Sequence, residues 1–396
     1  MKKIIAVNTL SQLMGRGISA LAMFIVTLIV ARQFGAAGYG DFVKVTTYAA
    51  FFYLIADFGI NAIFLQHDER KNWPALVTLR FIGSAGLIIL SLIILALLPR
   101  AANAGYTPMV RLGILLFSPT ILLQGVITTA NALFQKHLRY DLATWAIFFG
   151  SLTTIVLLLT TTNLLTVIGA VAIGTLVTAA SSFLFASRLV GHVRFSSTIG
   201  QMKRLLVPAI PLGVTLLFNL VYFRADSVVI TLTRPTAEVG VYGLAYKVFE
   251  LVLVFPTFFM NAVYPLMLKR YEIFKKIFVS SFIFLLVTSL VVLGALWFMA
   301  PLLTRIKSDF AASVPALRVL SLGLPLFFVT SATMWALIAL KKQIGLAAIY
   351  GVSMAINIAG NILLVPTYGF MAAAWMTVGS EALVLVLSAL ALKKYI

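Results

Sequence analysis

The chain has 396 residues, of which 62% are hydrophobic and only 10% charged, and its formal net charge is +19. Soluble domains run at about half apolar and about a quarter charged, so a water-soluble globular fold is excluded. No cysteine is present, which removes disulfide frameworks, thiolate metal sites and cysteine nucleophiles.

A bilayer core of about 30 Å is crossed by about 20 apolar residues in a helix, and runs of that kind recur from end to end. A spanning β-barrel would instead show ~10-residue alternating segments. Met1-Lys2-Lys3 leads into an apolar run longer than a signal-peptide core and without a convincing cleavage site, so it reads as a retained first span. The predicted helices lie near 7–31, 42–65, 75–98, 109–134, 142–161, 164–187, 207–232, 241–265, 277–300, 314–340, 343–364 and 369–392. The longest polar break, roughly 188–206, follows the sixth of these. The expected architecture is an all-α polytopic membrane protein with an N-terminal six-helix lobe at 1–190, a cytoplasmic linker at 191–206 and a C-terminal six-helix lobe at 207–396.

A charge of +19 raises the possibility of nucleic acid, and the placement of the thirty Lys and Arg residues argues against it. Eighteen fall on one side, in Lys2-Lys3, Arg70-Lys71, Lys136, Arg139, Arg188, Arg194, Lys203-Arg204, Lys269-Arg270, Lys275-Lys276, Lys341-Lys342 and Lys393-Lys394. Only five, Arg32, Arg100, Arg234, Arg305 and Lys307, fall on the other. Such asymmetry over short loops places both termini in the cytoplasm and requires an even number of spans. The basic balance therefore reports topology and anionic lipid headgroups; no nucleic-acid partner is expected.

The halves echo each other. Gly40 in the first hairpin and Gly240 in the seventh-to-eighth hairpin lie 200 positions apart, each followed by an aromatic at the second residue on. Pro119 and Pro325 match in the fourth and tenth helices, and Gly169 and Gly369 are expected to open the sixth and twelfth. Since both halves start on the same side, the repeat is parallel. Pro119, Pro256 and Pro325 are candidate bending points, because proline removes a backbone donor that neighbours in a bundle are able to compensate.

Seven cations fall at membrane depth: Arg16, Lys44, Arg80, Arg111, Arg224, Lys247 and Arg318. Each costs about 2.5–3.5 kcal/mol at a helix centre, so they are expected to face partners or a cavity. The acids at similar depth are Asp57, Asp226, Glu250 and Glu381, which leaves the interior at +3. That sign attracts a diphosphate or acidic sugar and repels cationic drugs. Lys44, Arg111 and Arg318 near the outer ends, and Arg80 near the inner end, are read as snorkelling. Arg16, flanked by Gly15 and Gly17, and Arg224, well inside the seventh helix, are read as substrate contacts, with Lys247 beside them. Lys247 and Glu250 are spaced i, i+3 and are able to neutralise each other, whereas Arg224 and Asp226 project in different directions and need separate partners. Asp57, Asp226, Glu250 and Glu381 are the candidate coupling carboxylates for a proton or sodium ion. No other cofactor is expected.

No Gly-x4-Gly-Lys-Ser/Thr loop occurs, and His67, His137 and His192 are too scattered for a metal site. A membrane glycosyltransferase or polymerase would need a sizeable outer loop, and the longest outer connection is only about 301–313.

The stretches Arg224-Ala-Asp226, Val239-Gly240-Val-Tyr242-Gly-Leu-Ala245-Tyr-Lys247, Asn357-Ile-Ala-Gly-Asn361 and Pro366-Thr-Tyr-Gly369 together resemble the polysaccharide transporter family. That family contains the Wzx-type O-antigen flippases, within a superfamily that also holds multidrug-and-toxin exporters and lipid II flippases. The chain departs from the pattern in Thr233-Arg-Pro-Thr-Ala-Glu238, which lacks a glycine, and at Ala36, where a proline often occurs. The resemblance implies two six-helix lobes that alternately open to either side and move an undecaprenyl-diphosphate-linked oligosaccharide outward across a bacterial inner membrane. Its implied partners are that anionic lipid-linked oligosaccharide, membrane lipids, and a polysaccharide polymerase and chain-length regulator. A multidrug exporter of the same fold is the alternative.

Overall fold

The computed structural model describes residues 2–99, 104–190, 195, 198–269 and 273–393. The predicted connection residues Arg100, His192, Arg194, Arg270 and Lys394 lie outside the described residues. Among those described, the elements are helices: α1 (Lys2–Asp57), α2 (Ile60–Leu65), α3 (Glu69–Leu97), α4 (Pro108–Phe117), α5 (Thr120–Lys136), α6 (Tyr140–Leu158), α7 (Leu164–Val190), α8 (Ile199–Thr233), α9 (Thr236–Lys269), α10 (Phe274–Met299), α11 (Ser313–Leu322), α12 (Leu324–Ala339), α13 (Gln343–Tyr368) and α14 (Phe370–Leu392), with short 3₁₀ turns at Ala300–Arg305 and Ser308–Phe310. In lipid no water satisfies exposed peptide groups, so apolar runs of this length close their hydrogen bonds internally as helices.

Eleven helical stretches among the described residues are long and apolar enough to cross a membrane. The first, Ser11–Leu65, has 55 residues, enough for two crossings at about 20 residues each. It is bent at Gly35, whose φ of 69° and ψ of −169° interrupt the helix. The connection expected between 31 and 42 is reduced to this one non-helical residue between two helices, and splitting α1 there gives about twelve spans. A side chain at Gly35 would be strained at that φ and would meet the Asp309 carboxylate.

Several predicted bounds are corrected. The fourth span breaks at Ser118-Pro119 into α4 and α5, and the tenth breaks at Gly323 into α11 and α12, with Pro325 in the first turn of α12. Pro256 sits inside α9 without dividing it. Helix α8 starts at Ile199, so the basic stretch Gln201–Arg204, read as connection, is helical. Gly369 separates α13 from α14, but Gly169 lies inside α7 and opens nothing.

The chain packs as two compact units, Met1–Phe34 with Asp41–Leu220, and Gly35–Gly40 with Val221–Ile396. In the first unit the core gathers Ile60, Phe64, Trp73, Leu76, Leu133, Phe134, Ala186 and Leu205. At the same end Lys136 donates to the His67 carbonyl and lies 5.0 Å from the Phe64 ring centroid, and His137 meets Glu69 at 2.9 Å. The second unit is held by aromatic contacts such as Phe249 on Phe327 at 5.4 Å and Phe259 on Phe284 at 4.7 Å. Within that unit Gly40 and Gly240 meet across a backbone contact. A Cβ on Gly240 would lie 1.9 Å from the Ala36 carbonyl oxygen, and one on Gly40 would lie 2.1 Å from that of Thr236. Only glycine fits at either position, which is the physical reason for the matched pair.

Candidate functional site

Helix α8 presents Tyr222 and Asp226 one turn apart, and α14 presents Thr377 and Glu381 with the same spacing. Residues four apart share a helix face. The two faces meet in antiparallel register: the Tyr222 hydroxyl donates to Glu381 Oε2 at 3.0 Å, and the Thr377 hydroxyl approaches Asp226 Oδ2 at 3.5 Å. Asp226 also accepts from the Tyr242 hydroxyl of α9 and from the Ser227 backbone N–H at 2.6 Å. Asp226 is 3% exposed and Glu381 2%, and among the described residues neither forms an ion pair. Their partners are hydroxyls and amides.

Arg224 lies between Tyr222 and Asp226 in sequence and so projects from a different face of α8. Its Nη2 donates to Glu250 Oε1 at 2.8 Å, and its guanidinium lies 5.7 Å from the Tyr246 ring centroid. Lys247 Nζ meets the other oxygen of Glu250 at 3.2 Å. The predicted neutralisation of Lys247 by Glu250 therefore exists, with Arg224 as a third member. Two cations share one carboxylate, and their side chains are 26% and 25% exposed, against 36% for Glu250. Tyr242, Tyr246 and Glu250 follow at four-residue spacing on α9, so one helix face supplies a hydroxyl for Asp226, a ring for Arg224 and a carboxylate for it. The separate partners expected for Arg224 and Asp226 are thus Glu250 and Tyr242.

In the first unit Arg80 of α3 corrects the snorkelling reading. Its side chain is 2% exposed and Nη2 donates to Asp57 Oδ1 at 3.0 Å and to Asn61 Oδ1 at 2.7 Å. Nη1 reaches the Ala56 carbonyl and the Thr128 hydroxyl, and Asn61 donates to the Thr128 carbonyl at 2.9 Å. Helix α1 ends at Asp57, so this arginine also caps its last carbonyls. Lys44 is likewise buried, 1% exposed, with Nζ donating to the Gly105 carbonyl at 2.8 Å. Arg111 donates to the Tyr106 carbonyl at 3.2 Å and the Leu98 carbonyl at 2.6 Å. These two cations are thus spent on the carbonyls of Leu98, Gly105 and Tyr106 instead of reaching for headgroups. Arg318 stacks over Trp297 at 5.3 Å.

Arg16 is exposed on α1, close to Tyr140 at the start of α6. Of its flanking glycines, Gly15 approaches Thr144 so closely that a Cβ would stand 3.0 Å from its hydroxyl, while Gly17 faces open space. Asn357 bridges α13 to α14 by donating to the Ser380 hydroxyl at 2.9 Å, while Asn361 stays within α13 and donates to the Asn357 carbonyl at 2.8 Å. At the opposite end of α8, Arg234 pairs with Glu238 at 2.7 Å and donates to the Pro366 carbonyl at 3.1 Å. The hydrogen bond to Glu238 holds Arg234 more firmly protonated than usual. Among the described residues no cluster of three His, Asp or Glu side chains is placed to hold a metal.

Sequence reasoning missed the hydroxyl partners of the buried acids. The signal was present as i, i+4 pairs, Tyr222 with Asp226, Thr377 with Glu381 and Tyr242 with Tyr246, but which helices face one another is not written in any single span.

The chain's fold is similar to that of a lipid II flippase, MurJ, in an inward closed conformation, with a TM-score of 0.81 at 15% identity over 98% of this chain and 87% of that one. An inward-facing multidrug resistance MATE transporter of the MOP superfamily matches with a TM-score of 0.73 at 15% identity over 95% and 96%. A MOP superfamily transporter from Pyrococcus furiosus, described as having a binding pocket of reverse polarity, matches with a TM-score of 0.65 at 14% identity over 98% and 94%. At these identities the likeness speaks for the helical fold alone. No curated protein matches the sequence. Residues 5–270 match the family described as polysaccharide biosynthesis protein, two thirds of the chain, and the chain belongs to that family.

Proposed function

We propose that this protein is a secondary transporter that moves an undecaprenyl-diphosphate-linked oligosaccharide, the unit of an O-antigen or similar surface polysaccharide, from the cytoplasmic to the periplasmic leaflet of a bacterial inner membrane. It is a carrier, not an enzyme, and it hands its substrate to a polysaccharide polymerase and chain-length regulator. The observation that carries this reading is the sharing of Glu250 by Arg224 and Lys247, which leaves one positive charge surplus at membrane depth on partly exposed side chains. A guanidinium fork and an ammonium are suited to a diphosphate. A cationic drug would meet repulsion there. In the first unit, the exposed Arg16 beside Gly17 is a further candidate substrate contact.

The four predicted coupling carboxylates separate into two classes. Asp57 and Glu250 are paired with arginine, whereas Asp226 and Glu381 are buried among hydroxyls. An ionised carboxylate away from water without a cation is costly, so each of the latter two is suited to take up a proton or a sodium ion during the cycle. Proteoliposomes carrying the undecaprenyl-diphosphate-linked oligosaccharide test this. Translocation should require a proton or sodium gradient and should lose that dependence in Asp226→Asn or Glu381→Gln. Gradient-driven movement in both variants would remove carboxylate coupling, and gradient-driven export of a cationic dye without movement of the lipid would favour the multidrug reading.

The charge asymmetry supports a cytoplasmic location for both termini. Reporter fusions after Lys71, Lys203, Lys276 and Lys394 are expected to read cytoplasmic and fusions near Ala102 and Asp309 periplasmic. A periplasmic C-terminus would overturn the orientation and the even span count.

A further inference from the structure

In the first unit, α3, α5 and α7 leave between them a partly open crevice of about 220 Å³, lined by Trp73, Arg80, Phe81, Val126, Phe183 and Phe195 among others. Ligand-binding surfaces are mostly apolar with a few placed polar groups. This one has that composition. Phe195, just beyond α7, closes one edge by meeting Phe81 edge-on at 5.8 Å. Phe81, Phe183 and Phe195 are 49%, 46% and 64% exposed, so the crevice opens on the outside of this helical unit.

Two donors on its wall are unspent. Trp73 is 4% exposed and Arg80 3%, yet the Trp73 indole N–H and the Arg80 Nε–H have no hydrogen-bond partner. Buried donors are almost always satisfied, so an unspent pair on residues that line a crevice points to an acceptor on an occupant. The occupant therefore has an apolar body and an oxygen acceptor at its Trp73 end. Trp73 shares a core cluster with Ala186 and Leu205, which sets the crevice at the end of the unit where Arg188, Lys203 and Arg204 stand. That end is cationic, so an occupant with an anionic head is favoured.

We propose that the crevice between α3, α5 and α7 binds one acyl chain of an anionic phospholipid, with an ester or phosphate oxygen accepting from the Trp73 indole N–H and the phosphate drawn to the basic end of the unit. The site is separate from the Arg224 cluster, and its occupancy is read without any transport assay, so this proposal and the flippase reading stand or fall apart.

The test uses the purified full chain in detergent, equilibrated with equal concentrations of phosphatidylglycerol and phosphatidylcholine and read by native mass spectrometry. Phosphatidylglycerol should be retained in preference. Val126→Phe, which fills the crevice, should weaken retention by about tenfold or more, and Trp73→Phe, which keeps a ring but loses one neutral hydrogen bond, by about three- to tenfold. Phe195→Ala, on an exposed side chain outside the helices, keeps the proposal falsifiable where a buried variant fails to fold, and it should also reduce retention. Equal retention of the two lipids, wild-type retention in Val126→Phe and Phe195→Ala, or preferential retention of a polyprenyl phosphate added as competitor would each overturn the proposal.

Discussion

Arg224→Ala is expected to abolish export while the protein remains near its normal abundance in the membrane. The reason lies in the shared carboxylate. With Arg224 gone, Glu250 keeps Lys247 at 3.2 Å, so no acid is stranded and the local charge becomes neutral in place of positive. What is lost is the surplus cation and its bidentate geometry. Arg224→Lys should retain part of the export, since it preserves charge without the fork. Removing both cations is a different experiment: Arg224→Ala with Lys247→Ala leaves Glu250 alone at membrane depth, and abundance should then fall. Restoration of abundance by adding Glu250→Gln would support that account. Normal export in Arg224→Ala, measured with polysaccharide surface display and membrane abundance in the same cells, would sink the headgroup role.

The largest stability effect is expected at Arg80. Arg80→Met removes the donor to Asp57, to the Asn61 amide oxygen and to the Ala56 carbonyl at once, in a site where the arginine is 2% exposed. Breaking a buried pair by deleting one partner costs about 3–5 kcal/mol, because the remaining charge keeps its desolvation penalty. Asp57 retains 36% exposure, which draws the expected loss toward about 3 kcal/mol or below. Thermal unfolding in detergent and membrane abundance should both show the loss, and Asp57→Asn added to Arg80→Met should recover part of it by removing the stranded charge. An Arg80→Met protein with wild-type melting and abundance would show that the network is not structural.

The two arginines illustrate how differently the sequence speaks about depth and about partners. Arg224 reads as interior from its place in a long apolar run, and the structure gives it a carboxylate about four turns into the next helix. Arg80 reads as lying near its helix end, yet the snorkelling reading fails because the end of α1 and the start of α2 pack against it and present Ala56, Asp57 and Asn61 together. Nothing in the α3 segment records that neighbour.

What the sequence by itself determined is the class: apolar runs of spanning length, an all-helical chain, the two-sided charge distribution, the repeat marked by Gly40 and Gly240, and the presence of cations and carboxylates in excess of what lipid tolerates. These are local quantities, set by hydropathy and by the cost of charge in hydrocarbon, so one chain read alone contains them. Only the tertiary structure decided that the first connection narrows to the single residue Gly35, that Pro119 and Gly323 interrupt their helices while Pro256 does not, and that Asp226 and Glu381 rest on Tyr242, Tyr222 and Thr377 while Asp57 and Glu250 are claimed by arginines. The physical reason is that a side chain's partner depends on which helix face lies opposite and at what height, and both follow from packing across residues far apart in sequence.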